Sequence, residues 1–299
     1  MKNILTLCLI TIVSFSCTKG DIPKEPEAEL YKQFAVSETE FEQSFKFLKR
    51  EISYYATNPF LKHVRIFSYD AANRCTEIKI GTIDSSITNP VFKLTQTITF
   101  NYDGSAVLPY SFSNVRTVFP NLITQFYFKY NNQGMKIMDS VRVINQLGEP
   151  ADRTVNYEYV NESVYSTPVM NGFPMTNNSY DTLELLSGGN IERLVSKHIR
   201  STGDELVTYQ FTYDDGVSPY NKLNIANSVY FENSAIGLGY NVPLETHYMG
   251  VTTNNMTSWM TGSYKVNFNY QYDMDKYPLR KEMIRPGDTS PYQVVLFEY

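Results

Sequence analysis

Carboxylates stand at several positions where alternating aromatic residues give way to turn residues. Asp214 and Asp215 follow one tyrosine, and Asp273 and Asp275 follow another. Clustered side-chain oxygens suit calcium, and two carboxylates at a defined separation can hydrolyse a glycosidic bond. The chain has no EF-hand spacing, however, and nothing distinguishes one carboxylate pair from the others. The favoured interpretation is that these aspartates cap turns by accepting hydrogen bonds from nearby backbone N–H groups.

The other residues that could do chemistry are isolated in the sequence. His63, His198 and His247 form no zinc-binding motif. Nothing basic beyond Arg74 is adjacent to Cys75, and this favours a buried structural thiol over a thiolate nucleophile. No GxSxG motif is present. We therefore expect no enzymatic activity, no catalytic residue, no metal and no cofactor.

The region over 216–263 holds the side chains best suited to ligand binding. It interrupts a repeating pattern and contains GLGYN, NNMT and the single tryptophan of the chain. Irregular Gly- and Asn-rich chain on a rigid scaffold is a common place for binding sites. The alternative is an eroded repeat copy with long loops. The candidate ligand-binding residues are Tyr240, His247, Asn254, Asn255 and Trp259.

The N-terminus has the features of a secretion signal. A short basic start precedes an apolar run over 4–13 that is too short to cross a bilayer. Ser14, Phe15, Ser16 and Cys17 follow, and they resemble the lipobox of bacterial lipoproteins. The resemblance implies cleavage before Cys17 and acylation of its sulfur and its amino group, which gives stable anchoring. The alternative is an ordinary cleaved signal in which Cys17 is incidental.

These features divide the chain into a lipoprotein signal peptide over 1–16, a flexible tether over 17–36 and a single β domain over 37–299. The tether is charged and contains two prolines. The expected location is the cell envelope, at the outer membrane, with the choice of leaflet left open. The expected partner is the membrane, through the lipid anchor at Cys17.

Alternation of apolar and polar residues dominates the rest of the chain. In VTYQFTY (207–213) and KVNFNYQY (265–272), apolar residues take every second position. This period is typical of an antiparallel sheet with one face in water. The expected fold class is all-β: a long antiparallel meander of repeated strand pairs that forms a strongly twisted, curled sheet or a partly open barrel. Curling, or cover from the 216–263 insertion, is needed because an exposed apolar face promotes aggregation.

Most of these strands end in a tyrosine followed by a turn of Asp, Asn, Gly or Pro residues. Four of the steps between successive tyrosines lie between 27 and 33 residues, and the other two are about twice as long. Such a period indicates a repeated unit, here an alternating strand, a turn and a second strand such as CTEIKI (75–80) or PLRKEMI (278–284). The tyrosines in phase are Tyr69, Tyr102, Tyr130, Tyr159, Tyr213, Tyr272 and Tyr299.

Three segments carry a resemblance to a known repeat: SYDAANRCTEI (68–78), TYDDGVSPYNKL (212–223) and QYDMDKYPLRKEM (271–283). They resemble degenerate YD-type repeats of the Rhs class and, more closely, a Bacteroidota family of lipoproteins that carry such repeats and have no assigned activity. The resemblance covers most of 47–299 and implies an all-β lipoprotein. The chain departs from Rhs shells because it is far too short to enclose anything and lacks an appended toxin domain.

One segment gives conflicting signals. Residues 37–55 begin with a capping box of Ser37 and Glu40, and apolar residues continue from Phe41 at helical spacing. The same stretch also aligns with the repeat as a second strand over 47–56. We predict a short helix up to about residue 46 and a strand after it.

Charge and composition narrow the functional classes. The net charge is −5 with acids and bases interspersed, and no basic run suits nucleic acid. The leading hypothesis is a non-enzymatic binding or structural module of the envelope or cell surface, which binds a polymer such as a glycan, or a partner protein, through the 216–263 loops or one sheet face. The alternatives are a lipid or lipoprotein carrier with a concave apolar face, and a hydrolase with carboxylates in the insertion.

Overall fold

The computed structural model describes residues 46–132, 136–144, 151–160, 163–170, 173–174, 180–185, 190–200, 203–220 and 254–299. The regular elements in these ranges are all β-strands, which confirms the all-β prediction. Among these residues, no helix has the length and apolar character needed to cross a membrane. The predicted signal peptide, the tether, the predicted helix apart from Lys46, and residues 221–253 of the insertion lie outside the described residues.

The described strands number seventeen. They are β1 (Arg50–Tyr55), β2 (Asn58–Tyr69), β3 (Cys75–Asp84), β4 (Lys93–Asn101), β5 (Ser111–Arg116), β6 (Phe119–Tyr130), β7 (Lys136–Ile144), β8 (Ala151–Val160), β9 (Ser163–Met170), β10 (Phe173–Pro174), β11 (Tyr180–Leu185), β12 (Ile191–Arg200), β13 (Gly203–Val217), β14 (Asn254–Thr261), β15 (Tyr264–Tyr272), β16 (Pro278–Ile284) and β17 (Gln293–Glu298).

The strands pair antiparallel in chain order within one sheet. Each strand from β1 to β9 pairs with the next, β9 pairs with β11, and β11 to β17 again pair in order. The short β10 pairs with β9 as a side branch. β1 pairs with β2 on one edge and with β17 on the other, where Arg50 lies opposite Glu298. The sheet therefore curls until its first and last strands are neighbours, which confirms the prediction of a curled meander.

The inner face of the curled sheet carries the hydrophobic core. Phe100, Phe112 and Phe126 lie opposite one another on β4, β5 and β6, and the rings of Phe112 and Phe126 stack with centroids 4.1 Å apart. Such cross-strand aromatic pairs stabilise a sheet beyond the burial of their area. The fully packed core residues are Leu48, Phe67, Cys75, Ile78, Ile98, Phe100, Phe112, Phe126, Phe128, Phe211, Tyr220, Met256, Val266, Phe268, Met283, Val295 and Phe297.

Four of the repeated tyrosines share one contact, and we call the end of the sheet where they lie the tyrosine end. Their rings pack against the core while each of these four hydroxyls donates to a backbone carbonyl 21 or 27 residues earlier. This contact ties one repeat unit to the unit before it, which gives the phase of the tyrosines a physical reason. The bonds run from Tyr69 to Leu48 (2.7 Å), Tyr102 to Cys75 (2.7 Å), Tyr130 to Pro109 (2.9 Å) and Tyr299 to Pro278 (3.1 Å).

The turns at the tyrosine end are capped by aspartates, as predicted. Asp70 Oδ1 accepts hydrogen bonds from the backbone N–H groups of Ala72 and Arg74, both at 2.9 Å. Asp273 Oδ1 accepts from the N–H groups two and four residues later, at 3.0 and 2.9 Å. Lys46 holds the same turn from outside, because its Nζ lies 2.6 Å from Asp273 Oδ2. These carboxylates therefore act within the fold.

Candidate binding groove

A groove crosses four neighbouring strands, β12 to β15. Its volume is about 390 Å³, within the range of about 300–1,000 Å³ typical of small-ligand sites. Most of the side chains that line it can form hydrogen bonds or carry a charge. The lining residues are Glu192, Arg193, Gln210, Phe211, Thr212, Ser258, Met260 and Lys265.

The groove lies on the outer face of the sheet. Phe211, Trp259 and Val266 lie opposite one another on β13, β14 and β15 and pack on the core side. Successive residues of a strand point to opposite faces, so Thr212 and Ser258 point outward. Their hydroxyl oxygens are 2.7 Å apart. Ser258 is buried while Thr212 is exposed, so the groove has a polar wall at this point.

One row of paired residues sets much of the chemistry of the groove. Arg193 lies opposite Gln210, Gln210 opposite Met260, and Met260 opposite Lys265. Two cations thus stand at the ends of the row, with an amide and a thioether between them. An amide both donates and accepts hydrogen bonds, and a thioether offers an adaptable apolar surface. The row can therefore contact a polar ligand along its length.

Next to the groove, the ladder between β13 and β14 is interrupted by a bulge. Beyond the pair of Tyr213 and Met256, pairing resumes at Val217 and Asn254, so β13 advances four residues while β14 advances two. Asp214 Oδ1 caps the extra residues by accepting the N–H two residues later at 2.9 Å. Bulges bend a strand and re-aim its side chains. At this copy the Tyr-Asp sequence therefore caps a bulge, and the strand continues.

Asn254 and Asn255, two of the predicted ligand-binding residues, hold this bulge in place. Asn254 Nδ2 donates to the carbonyl of Gly216 and Asn255 Nδ2 to that of Val217, each at 3.2 Å. Asn254 also exchanges hydrogen bonds with Asn190, at 3.0 and 3.1 Å. Asn255 is only 3% exposed. The structure therefore brings both amides together beside the groove, where they bond to the protein itself.

Gly216 allows a close approach at the centre of the bulge. A β-carbon there would lie 2.7 Å from Asn255 Nδ2 and 2.7 Å from Tyr272 Cε1. Within this space the hydroxyl of Tyr272 donates to Asp214 Oδ2. Burial, together with the Asp214 carboxylate, raises the pKa of Tyr272. The phenol therefore stays protonated and remains a donor.

Of the other three predicted residues, the structure describes Trp259, which does not line the groove. Trp259 packs against the core with its ring centroid 6.1 Å from that of Tyr209 and 5.6 Å from that of Tyr264. Its Nε1 is buried without a hydrogen-bond partner among the residues that the structure describes. Tyr240 and His247 lie outside the described residues. Sequence reasoning found the strand that forms one side of the groove, but chose residues on it that do not line it.

The chain just after β13 enters the inside of the curled sheet. Ser218 and Tyr220 are buried, and the Tyr220 hydroxyl donates to Glu51 Oε2 at 2.6 Å. Arg65 Nη1 lies 3.2 Å from Glu51 Oε1. Burial and the nearby Glu51 carboxylate raise the pKa of Tyr220. The start of the insertion thus covers part of the inner face, in addition to the curl of the sheet.

Cys75, His63 and His198 lie on three different strands, β3, β2 and β12. Cys75 is fully buried, and burial raises the pKa of its thiol to about 12, which keeps the thiol protonated and unreactive. His63 is exposed on β2 with its ring 6.3 Å from that of Tyr55, and His198 lies on β12. In the described part of the chain, no group of three or more His, Cys, Asp or Glu side chains is placed to hold a metal ion.

Comparison with known proteins gives structural neighbours. No family model matches the sequence, and no curated protein matches it. The chain is similar to a porin-like protein from Bacteroides vulgatus, with 12% identity over 85% of this chain and 99% of that one and a TM-score of 0.48. It is also similar to a porin-like protein from Bacteroides uniformis, with 13% identity over 84% of this chain and 96% of that one and a TM-score of 0.39. These identities are too low to transfer a function.

Proposed function

We propose that the protein is a lipid-anchored envelope protein without enzymatic activity, which binds a polar polymer such as a glycan in the groove across β12 to β15. The observation that carries this proposal is the row of Arg193, Gln210, Met260 and Lys265 along an outer-face groove of about 390 Å³. The sheet beneath the row is continuous, so the contacts are positioned before the ligand arrives. A preorganised site loses less entropy on binding.

The groups in the groove match the needs of a glycan ligand. The hydroxyls of Thr212 and Ser258 and the amide of Gln210 can exchange hydrogen bonds with sugar hydroxyls. Arg193 and Lys265 are the cations of the lining, and Glu192 is its carboxylate. The groove can therefore contact both the hydroxyl groups and the charged substituents of a glycan.

The lipid anchor proposed at Cys17 would hold this groove at the envelope. The sequence carries a tether of about twenty residues between that cysteine and the start of the β domain. A charged, Pro-containing tether is extended and allows the domain to reorient at the bilayer. An envelope-bound polymer is therefore within reach of the groove.

The alternatives gain less support from the described residues. A carrier needs a free apolar concavity, whereas the inner-face side chains pack into one cluster that includes Tyr220 from the insertion. A glycoside hydrolase uses two carboxylates, whereas Glu192 is the single carboxylate among the residues that line the groove.

The proposal is tested with the chain from Thr18, which contains every described strand. The wild-type chain is applied to an array of bacterial and plant polysaccharides, and the affinity for the strongest glycan is measured by calorimetry. Thr212→Trp would fill the groove and should weaken that affinity by at least about tenfold, since a lost or blocked set of hydrogen bonds costs about 1.4 kcal/mol or more.

Thr99→Trp is the matched control. Thr99 is an exposed threonine on β4, between the inward-facing Ile98 and Phe100, so it presents a ring on the same outer face, away from the groove. This variant should bind like the wild type. Equal binding by both variants, or no binding to any glycan on the array, would show the groove assignment to be wrong. Binding to a purified envelope protein in place of a glycan would assign the groove to a protein partner.

A further inference from the structure

The end of the sheet opposite the tyrosine end exposes several large apolar side chains. Phe60 is 56% exposed, Ile87 55%, Val91 73% and Val118 75%. Phe60 lies near the start of β2, Ile87 and Val91 lie on the connection between β3 and β4, and Val118 lies on the connection between β5 and β6. We call these four residues the apolar rim. Large exposed apolar side chains grouped on one part of a soluble surface mark an interaction site.

Hydrogen bonds hold these segments of the chain side by side. The backbone N–H and the hydroxyl of Ser85 both donate to the carbonyl of Phe60, at 2.9 and 3.0 Å. The backbone N–H of Thr117 donates to the carbonyl of Thr95 at 2.8 Å. The apolar rim is thus part of the ordered sheet, and its side chains are presented together.

In the loop before β4, the packing of Phe92 explains why Val91 is exposed. A β-carbon on Gly81 would lie 2.6 Å from the ring of Phe92, so the ring packs closely over the glycine. Val91, the preceding residue, is left exposed. Phe92 is thus covered by the sheet, whereas Val91 is exposed to solvent.

Cations accompany the apolar rim. Lys62 is two residues from Phe60, Lys93 two residues from Val91, and Arg116 two residues from Val118. Over residues 54–63, 81–96 and 112–121, all of which the structure describes, Asp84 is the single carboxylate against these three cations. Asp84 Oδ1 accepts hydrogen bonds from the backbone and the hydroxyl of Ser86, so part of its charge is satisfied locally.

Apolar tips flanked by cations are suited to the surface of an anionic lipid bilayer. The apolar groups can enter the boundary between headgroups and acyl chains while lysine and arginine reach the phosphates. Each cation near an anionic surface contributes about 1 kcal/mol, which corresponds to about fivefold in affinity. A protein partner would need complementary carboxylates at the same spacing, whereas a lipid surface presents negative charge everywhere.

We propose that the apolar rim, with Lys62, Lys93 and Arg116, docks on the surface of an anionic bilayer. This contact is separate from the groove and does not depend on the proposed glycan ligand. It would also add to the anchor at Cys17, because a chain with both contacts is held at the bilayer by two independent interactions. The β domain would then lie with its tyrosine end away from the lipid.

The test uses the chain from Thr18, which contains every described strand and lacks the lipid anchor. Vesicles of equal parts phosphatidylglycerol and phosphatidylcholine are sedimented with the protein, beside vesicles of phosphatidylcholine alone. We expect binding to the anionic vesicles that weakens as salt is raised, and at least about tenfold weaker binding to the neutral vesicles. Absence of binding to the anionic vesicles would overturn the proposal.

A triple variant, Ile87→Ser, Val91→Ser and Val118→Ser, should lose at least about tenfold in affinity for the anionic vesicles. Met274→Ser is the matched control, because Met274 is fully exposed in a turn at the tyrosine end; this variant should bind like the wild type. Equal binding by the triple variant would overturn the assignment. Loss of a dimer in sedimentation velocity, without any vesicle binding, would assign the rim to a second copy of the chain.

A reporter variant keeps the proposal testable if the triple variant does not fold. The sequence has a single tryptophan, and Trp259 packs against the core, so a second one can be read against a constant background. Val118→Trp should show a blue shift of its fluorescence on addition of the anionic vesicles, whereas Met274→Trp should not. A shift in both, or in neither, would contradict docking through the apolar rim.

Discussion

Two copies of the Tyr-Asp sequence have different structural roles. At Tyr69 and Asp70 the strand ends, Asp70 accepts hydrogen bonds from two backbone N–H groups of its own turn, and β3 begins at Cys75. At Tyr213 and Asp214 the strand continues to Val217 through a bulge, and the chain then enters the core. The dipeptide alone therefore does not determine a turn.

The two copies differ in which groups donate hydrogen bonds to Asp70 and to Asp214. Asp70 is satisfied by its own turn, in which Asn73 takes a positive φ of 60° and Arg74 returns to the carboxylate with its guanidinium at 2.7 Å. Asp214 bonds one N–H within its own strand and depends on Tyr272, 58 residues away, for the other oxygen. A self-contained turn is repeatable along the chain, whereas the bulge needs one particular neighbour. The more specialised copy is the one beside the groove.

The largest effect is expected from closing the space at the bulge. Gly216→Ala should destabilise the protein by about 3 kcal/mol, because its β-carbon would overlap Asn255 and Tyr272 and the backbone must shift. Urea unfolding of the chain from Thr18 measures the change. Gly104→Ala is the control: its β-carbon meets nothing within 4 Å, but its φ of 52° is left-handed, so a cost of about 1 kcal/mol is expected. Equal costs would mean that the bulge is not tightly packed.

A smaller difference should separate two tyrosine hydroxyls. Tyr272→Phe removes a donor to the carboxylate of Asp214 and should cost about 2 kcal/mol. Tyr102→Phe removes a donor to the neutral carbonyl of Cys75 and should cost about 1 kcal/mol. Both changes keep the ring, so the comparison isolates the hydroxyl. The free energies of unfolding of the two variants are measured in urea. A larger loss of stability in Tyr102→Phe than in Tyr272→Phe would contradict this interpretation.

The smallest effect is a dependence on pH at the self-contained turn. Hydrogen bonds from the backbone of Arg74, and then its guanidinium, hold the pKa of Asp70 below its usual value of 3.8. A lowered pKa means that Asp70 adds stability above that value and that this contribution is lost as the pH falls through the folded pKa. Asp70→Asn should therefore lower Tm slightly at pH 7 and reduce the loss of Tm below about pH 4. Identical acid slopes in wild type and variant would show that this carboxylate adds no pH-dependent stability.

Local patterns predicted the strands and the turn caps well. The alternation in VTYQFTY and KVNFNYQY lies within β13 and β15, and PLRKEMI is β16. Asp70 and Asp273 cap their turns as expected. These features depend on residues only a few positions apart, so the sequence contains the information directly.

The groove and the buried contacts could not be predicted in the same way. Whether Ser258 or Trp259 points outward depends on the register between β13 and β14, which two irregularities shift. The contact of Tyr220 with Glu51 joins residues 169 positions apart and exists only because the sheet curls. Asn254 and Asn255 are polar residues in a region chosen for binding, but their role became clear only when the bulge was seen. Long-range register is the missing information.

The pairing of β1 with β17 has a consequence for how the protein is made. Arg50 and Glu298, which form an ion pair across these strands, are 248 positions apart. β1 therefore cannot complete its pairing until β17 has been synthesised, and such non-local pairing slows folding. Until the two meet, β1 and β16 each present an open edge, which is a template for pairing between chains. Until β17 is in place, the folding chain is therefore exposed to pairing with other chains.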